Sequence, residues 1–285
     1  MGKTAVAIEL AKRLNSSIIS ADSRQCYREM SIGTAKPSAE ELAEVKHYFV
    51  DEFPVTRNVT AADFEQLGLK YLETIFQTSD AAVVCGGTGL YIKALTEGLD
   101  EMPAVDDAIE GEVNKRFDEE GLAWLQEAVK AEDPEFAASG EMQNPARLLR
   151  ALVFVRSIGE SITKYRSGQR KERSFDVVKV GLELPREVLY QRIDKRVDEM
   201  MEKGQEAEAR GLYPYKELKN LRTVGYSELF DYFDGKWSLA EAVSKIKQHT
   251  RNYAKRQLTW FKKDKEMHWL EADSENVVDW ILSLK

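Results

Sequence analysis

Two short apolar runs, far apart in the chain, each stop at a polar or glycine-rich turn. Ser17-Ile18-Ile19-Ser20-Ala21 ends at Asp22, and Ala81-Ala82-Val83-Val84-Cys85 ends at Gly86-Gly87. Runs this short, with little polar alternation, read as strands covered on both faces. Around them, amphipathic spacing predicts helices over 5–14, 38–45 and 61–78, and from about Leu90. Ser38 and Glu41 form a capping box for the second of these. Helices alternating with buried strands predict a parallel, doubly wound α/β sheet. Such sheets bind ligands beyond the carboxyl ends of their strands. Thr4, Asp22 and Gly86-Gly87-Thr88 all fall at such ends.

From about Pro103 the pattern changes. Amphipathic helices are predicted over 108–117, 122–131 and 145–157 with no strand between them, and 176–184 then restores a strand. Residues 106–173 therefore read as a helical insertion into an α/β core built from 1–105 and 174–285. The chain is mostly helical after Pro185, with a last strand near 267–270. A length of 285 residues accommodates a core plus a smaller domain. No apolar run approaches the roughly 20 residues that span a bilayer, and no signal-peptide pattern precedes the first helix. The expectation is a cytoplasmic protein without a membrane partner. Cys26, Cys85 and the three histidines lack metal-ligand spacing.

The net charge of −8 argues against indiscriminate nucleic-acid binding. Charge is nonetheless clustered. Residues 245–265 hold eight Lys/Arg against one acid, and 164–173 hold five against Glu172. Each cluster alone reads as a solvated helix face; two in an acidic protein also read as a local polyanion site.

Gly2-Lys3-Thr4 is the back half of a phosphate-binding loop, placed ahead of a helix. Asp22 leads Ser23-Arg24-Gln25 out of a strand, either as a magnesium ligand or general base, or as the cap of the next turn. Gly86-Gly87-Thr88-Gly89 admits close backbone approach by a ligand, or is a tight strand-to-helix turn. Arg222 stands in a segment poor in other charges, as a pyrophosphate clamp or a structural ion pair. Asn252 to Phe261 interleaves basic and aromatic residues, a mixture that suits nucleic acid. Within it, Trp260 and Phe261 read as core anchors of the last long helix.

With these residues in place, the chain resembles the bacterial tRNA dimethylallyltransferases (tRNA isopentenyltransferases). Gly2-Lys3-Thr4, Ser20 to Tyr27, Ile32 to Pro37, His47-Tyr48, Gly86 to Tyr91, Arg222 to Tyr226 and Ala254 to Trp260 carry the resemblance, collinear over nearly the whole chain. It implies a P-loop kinase-like parallel sheet flanked by helices, with a helical insertion domain. The implied reaction moves a dimethylallyl group from dimethylallyl diphosphate to N6 of the adenosine 3′ of the anticodon. By the same resemblance, Gly2, Lys3, Thr4 and Arg222 bind the diphosphate, and Mg²⁺, with Thr4 as its ligand, assists pyrophosphate departure. Thr4, Arg222 and Asp22 are the implied catalytic residues, Asp22 as general base. Asp22, Ser23, Arg24, Gln25 and Thr88 line the acceptor site, and Ala146-Arg147-Leu148-Leu149-Arg150 of the insertion contacts the anticodon stem-loop. The implied state is a monomer.

Two departures accompany the resemblance. The zinc finger of longer eukaryotic relatives has no counterpart here. The family's Gly-Pro-Thr-x-x and its preceding strand are also absent ahead of Gly2, so weak or no transfer is expected of the chain as written. Competing readings are a P-loop kinase of a small metabolite, a non-catalytic tRNA-binding protein, and an adenylate isopentenyltransferase, which needs no helical insertion.

Overall fold

The computed structural model describes residues 2–138 and 141–284. Contacts divide the chain into two compact units, Met1–Glu97 with Arg173–Lys285, and Gly98–Glu172. Helix α1 (Lys3–Arg13) starts from Gly2, whose φ of +83° suits a residue without a side chain, and buries Ala7, Ile8 and Ala11. Strand β1 (Ile18–Ala21) follows, buried at every position. Next come α2 (Ala39–Glu44), β2 (His47–Tyr48), α3 (Ala61–Ile75), β3 (Val83–Gly86) and α4 (Gly89–Glu97). The strands form a parallel sheet of order β2-β1-β3, with Ala21 opposite Gly86. Ser38–Glu41 caps α2 as expected, and Thr60–Asp63 makes the same reciprocal box at α3.

The second unit holds α5 (Asp107–Glu132), α6 (Pro134–Ala138) and α7 (Pro145–Ile158). Gly121 interrupts α5 at φ 74°, ψ −166°, which is why its sequence reads as two helices. Helix α7 opens on an Asn144 cap with Pro145 in its first turn and stops at Gly159, φ +81°. Val113, Leu125, Val129, Phe136, Leu148 and Leu152 form this unit's own core. Met102 and Val105 pack on it, so the contact border falls at Gly98 and Glu172, where the sequence pattern had placed it at 106 and 173.

The chain then returns to the first unit through β4 (Lys179–Glu183), α8 (Arg186–Glu202), α9 (Gln205–Leu212), α10 (Ser227–Phe233), α11 (Leu239–Phe261), β5 (Met267–Glu271) and α12 (Val277–Leu282). Strands β4 and β5 pair in parallel as a second sheet. Among the described residues no ladder joins it to the three-stranded one. No helix of the described residues is long and apolar enough to cross a membrane.

Two of the sequence motifs meet in the core of the first unit. The Glu208 carboxylate accepts the backbone N–H groups of Ser31, Ile32 and Gly33 at 2.9, 2.7 and 3.0 Å, and the Tyr226 hydroxyl at 2.6 Å. The Tyr226 ring lies where a Cβ on Gly33 would be, at 2.7 Å. Burial, with Glu208 adding to it, pushes the Tyr226 hydroxyl far above the usual tyrosine range. Gly33 and Tyr226 are therefore one joint, closed by a carboxylate.

Candidate active site

The amino end of α1 carries no acidic residue in its first turn and no side-chain cap. Its free N–H groups and the positive end of the helix dipole are thus open to an anion. The Lys3 ammonium and Thr4 hydroxyl have no hydrogen-bond or ion-pair partner among the described residues. Cys85, near the end of β3, fixes the neighbourhood: its sulfur lies 3.7 Å from the Lys3 carbonyl oxygen. Burial pushes its thiol up, the Lys3 charge pulls it down, and the Asp22 charge raises it. The α1 amino end and Asp22 therefore flank the same strand end.

Asp22 follows β1 directly. Its Oδ1 accepts the N–H of Arg24 at 2.8 Å and of Gln25 at 3.3 Å, so the capping reading holds. Its second oxygen accepts no hydrogen bond from the described residues and remains available to a ligand.

The Asp22 charge is felt by Arg196 on α8. Burial lowers Arg196 below the usual arginine range, and Asp22 and Glu199 partly oppose that. Arg196 makes no hydrogen bond or ion pair among the described residues. A guanidinium that loses water without gaining a protein partner is placed for an anionic ligand. Sequence reading passed over it because it sits in a charged run, Arg192 to Glu199. The available signal was its spacing: three residues after buried Ile193 and next to buried Val197, it lies toward the apolar side of α8.

The turn after β3 completes this surface. The Thr88 N–H donates to Ala21 O at 3.1 Å, and Thr88 Oγ1 accepts the N–H of Ser23, also at 3.1 Å. A Cβ on Gly86 would sit 2.2 Å from Ala21 O, so the glycine is demanded by neighbouring backbone. Arg24 donates to Ser23 O at 3.1 Å, while its Nε is buried without a partner. Gln25 behaves differently from its expected place in the acceptor lining. Its amide is spent on Ser20 Oγ, Thr34 O and Ala35 O at 2.9, 3.2 and 3.1 Å, and so ties a loop to β1.

Arg222 is exposed, with a 3.4 Å ion pair to Glu217, and has no bond to Gly2, Lys3 or Thr4. It lines an open cleft of about 480 Å³ with Lys245, His249, Tyr253 and Arg256. Trp260 is 44 % exposed and is no core anchor, because its indole edge rests on Gly89. It borders a second cleft of about 400 Å³ with Lys255, Arg256 and Lys263. On α7, Ala146, Arg147 and Arg150 are exposed. Leu148 is wholly buried in this unit's core, which corrects its expected contact with RNA, and Leu149 is partly buried against the same core. Among the described residues, no group of three or more His, Cys, Asp or Glu side chains forms a metal cage.

Residues 25–264 match the family described as IPP transferase. The chain belongs to this family. It is 46 % identical to the tRNA dimethylallyltransferase of Cytophaga hutchinsonii over 94 % of this chain and 88 % of that protein. It also resembles the crystal structure of the tRNA isopentenylpyrophosphate transferase from Bacillus halodurans, with a TM-score of 0.71 at 34 % identity, covering 99 % of this chain and 90 % of that one. The corresponding Staphylococcus epidermidis structure gives 0.70 at 33 % identity, with coverages of 99 % and 94 %. As in the relatives' names, members of the family are enzymes, and the α/β architecture with parallel strands is the family's fold.

Proposed function

We infer that this enzyme transfers a dimethylallyl group from dimethylallyl diphosphate to N6 of the adenosine 3′ of the anticodon in tRNA. The observation that carries the reading is the convergence of a free α1 amino end and the uncapped oxygen of Asp22 at adjoining strand ends of an IPP transferase chain, with the Asp22 charge partly opposing the burial of the Arg196 guanidinium of α8. In the reaction, the N6–C1 bond forms as the C1–O bond to diphosphate breaks. The N6 proton passes to Asp22, and pyrophosphate leaves with the bonding electrons.

Each residue has a task in that step. Lys3, the first α1 amides and Arg196 hold the negative charge that grows on the leaving diphosphate. The Thr4 hydroxyl is a hard oxygen donor that suits Mg²⁺, and the free Asp22 oxygen is left for the proton. Mg²⁺ held there by Thr4 would supply charge neutralisation at the diphosphate. Asp22 acts as base because an exocyclic amine is a weak nucleophile until its proton is taken. Ser23, Arg24 and Thr88 shape the acceptor side. Arg222, Lys245 and Arg256 contact RNA phosphates, a role that suits Arg222 better than the diphosphate clamp expected from sequence. Arg147 and Arg150 meet the anticodon loop, where unpaired bases are free to be splayed out.

The direct test follows transfer of labelled dimethylallyl from its diphosphate to an anticodon stem-loop, with wild type beside Asp22→Asn. A loss of about 10²- to 10⁴-fold is expected for the variant. Undiminished transfer by the variant removes the base assignment. A wild type that modifies no RNA, even with the family's Gly-Pro-Thr loop and its strand supplied ahead of Gly2, removes the function.

A further inference from the structure

Helix α11 touches the turn after β3 with one ridge of side chains. Tyr253, Gln257 and Trp260 recur at the spacing that places residues on one helical face. Gln257 Nε2 donates to Gly87 O at 2.9 Å. A Cβ on Gly87 would lie 2.0 Å from the same Nε2, and one on Gly89 would lie 2.2 Å from Trp260 Nε1. Those two glycines are thus vacancies that admit α11 side chains. Burial first, and then the Asp22 charge, push the Tyr253 hydroxyl up, while the Gln257 and Thr88 side chains oppose that shift. Thr88 Oγ1 in turn accepts the Ser23 N–H at 3.1 Å, next to Asp22.

We propose that Gln257 is a positioning residue for prenyl transfer: it braces the Gly87-Thr88 turn and, through Thr88 and Ser23, sets where the Asp22 carboxylate stands. Gln257 does this without touching the substrate. The glycines at 87 and 89 then serve α11 and not a ligand. The brace also gives a helix that carries basic RNA-facing residues a mechanical link to the base that removes the proton. The inference rests on the transfer reaction proposed above.

The test combines rate and local protection in the intact chain. In Gln257→Ala, single-turnover transfer at saturating substrates falls about 10²-fold, the scale of a small misplacement of reacting groups. The KM for dimethylallyl diphosphate stays within about twofold under the same misplacement argument. Amide hydrogen exchange at Ser23 and Thr88 accelerates, since both bonds depend on the braced turn. Gln257→Glu, of equal size, shows the same loss because an acceptor then faces the Gly87 carbonyl. Gly87→Ala displaces Gln257 and matches the single variant, and the Gly87→Ala, Gln257→Ala double variant is no slower than either alone. Wild-type rate and wild-type protection in Gln257→Ala and Gln257→Glu overturn the brace. So does a rise in the RNA KM with an unchanged rate, which marks Gln257 as a plain RNA contact. A wild type without transfer overturns the function instead, and the exchange of Ser23 and Thr88 still decides the brace.

Discussion

At the residue scale, the two jobs of Asp22 separate by substitution. Its Oδ1 caps the turn through Arg24 and Gln25, and an asparagine keeps that acceptor while losing the base. Asp22→Asn is therefore expected to melt within a few tenths of a kcal/mol of wild type, and Asp22→Ala to lose about 1 kcal/mol. Urea unfolding of the pair measures the difference, and equal stabilities contradict the cap. Arg196 gives the opposite signature. Its guanidinium is held below the usual range by burial, with only partial relief from Asp22 and Glu199. Arg196→Met is expected to unfold no more easily than wild type and to bind dimethylallyl diphosphate about 10- to 100-fold more weakly, the worth of a hydrogen bond to a charged group. Calorimetric binding of the diphosphate, with a melt of the same sample, checks both halves.

At the element scale, what was legible followed from local pattern. The strands of β1 and β3, the capping box of α2 and the paired helices around Gly121 each depend on residues within a few positions of one another. The roles of Glu208 and Gln257 depend on partners far along the chain, and nothing local marks them; Arg196 is marked only by its spacing beside buried Ile193 and Val197. Gly33 and Tyr226 were visible as motif residues, but their use as a joint appears only once Glu208 is in place. Gly33→Ala forces a Cβ against the Tyr226 ring and is expected to cost about 1–3 kcal/mol, read as a fall in the urea midpoint. Lys179, at the start of β4, makes a second joint with Asp264, Glu97 and Glu266 at 2.7, 3.0 and 3.1 Å. Burial pulls its ammonium down, but hydrogen bonds to those carboxylates outweigh it and leave the pKa raised above the ordinary 10.5. A raised lysine stabilises fully below that unfolded value and loses its contribution as pH climbs through the folded one. The stability gap between wild type and Lys179→Met is therefore flat up to about pH 10 and closes only above it.

At the scale of the whole molecule, the alternation of strands and helices and its suspension after Pro103 were readable as organisation. The division into two sheets was not, since pairing depends on which strands meet. The proposed reading assigns chemistry to strand ends of the α/β unit, and RNA contacts both to Arg222, Lys245 and Arg256 of that unit and to exposed arginines of the helical one. Arg147→Ala with Arg150→Ala should weaken stem-loop binding and reduce its salt dependence by up to about two units of slope, leaving diphosphate binding alone. The most direct measurement counts products: isotopically labelled dimethylallyl diphosphate is turned over with an anticodon stem-loop, its counterpart lacking the target adenosine, and free adenosine monophosphate. Label on N6 of that one adenosine, matched mole for mole by pyrophosphate, is the predicted result. Label on the free nucleotide alone, or pyrophosphate release with no label in RNA, contradicts the account.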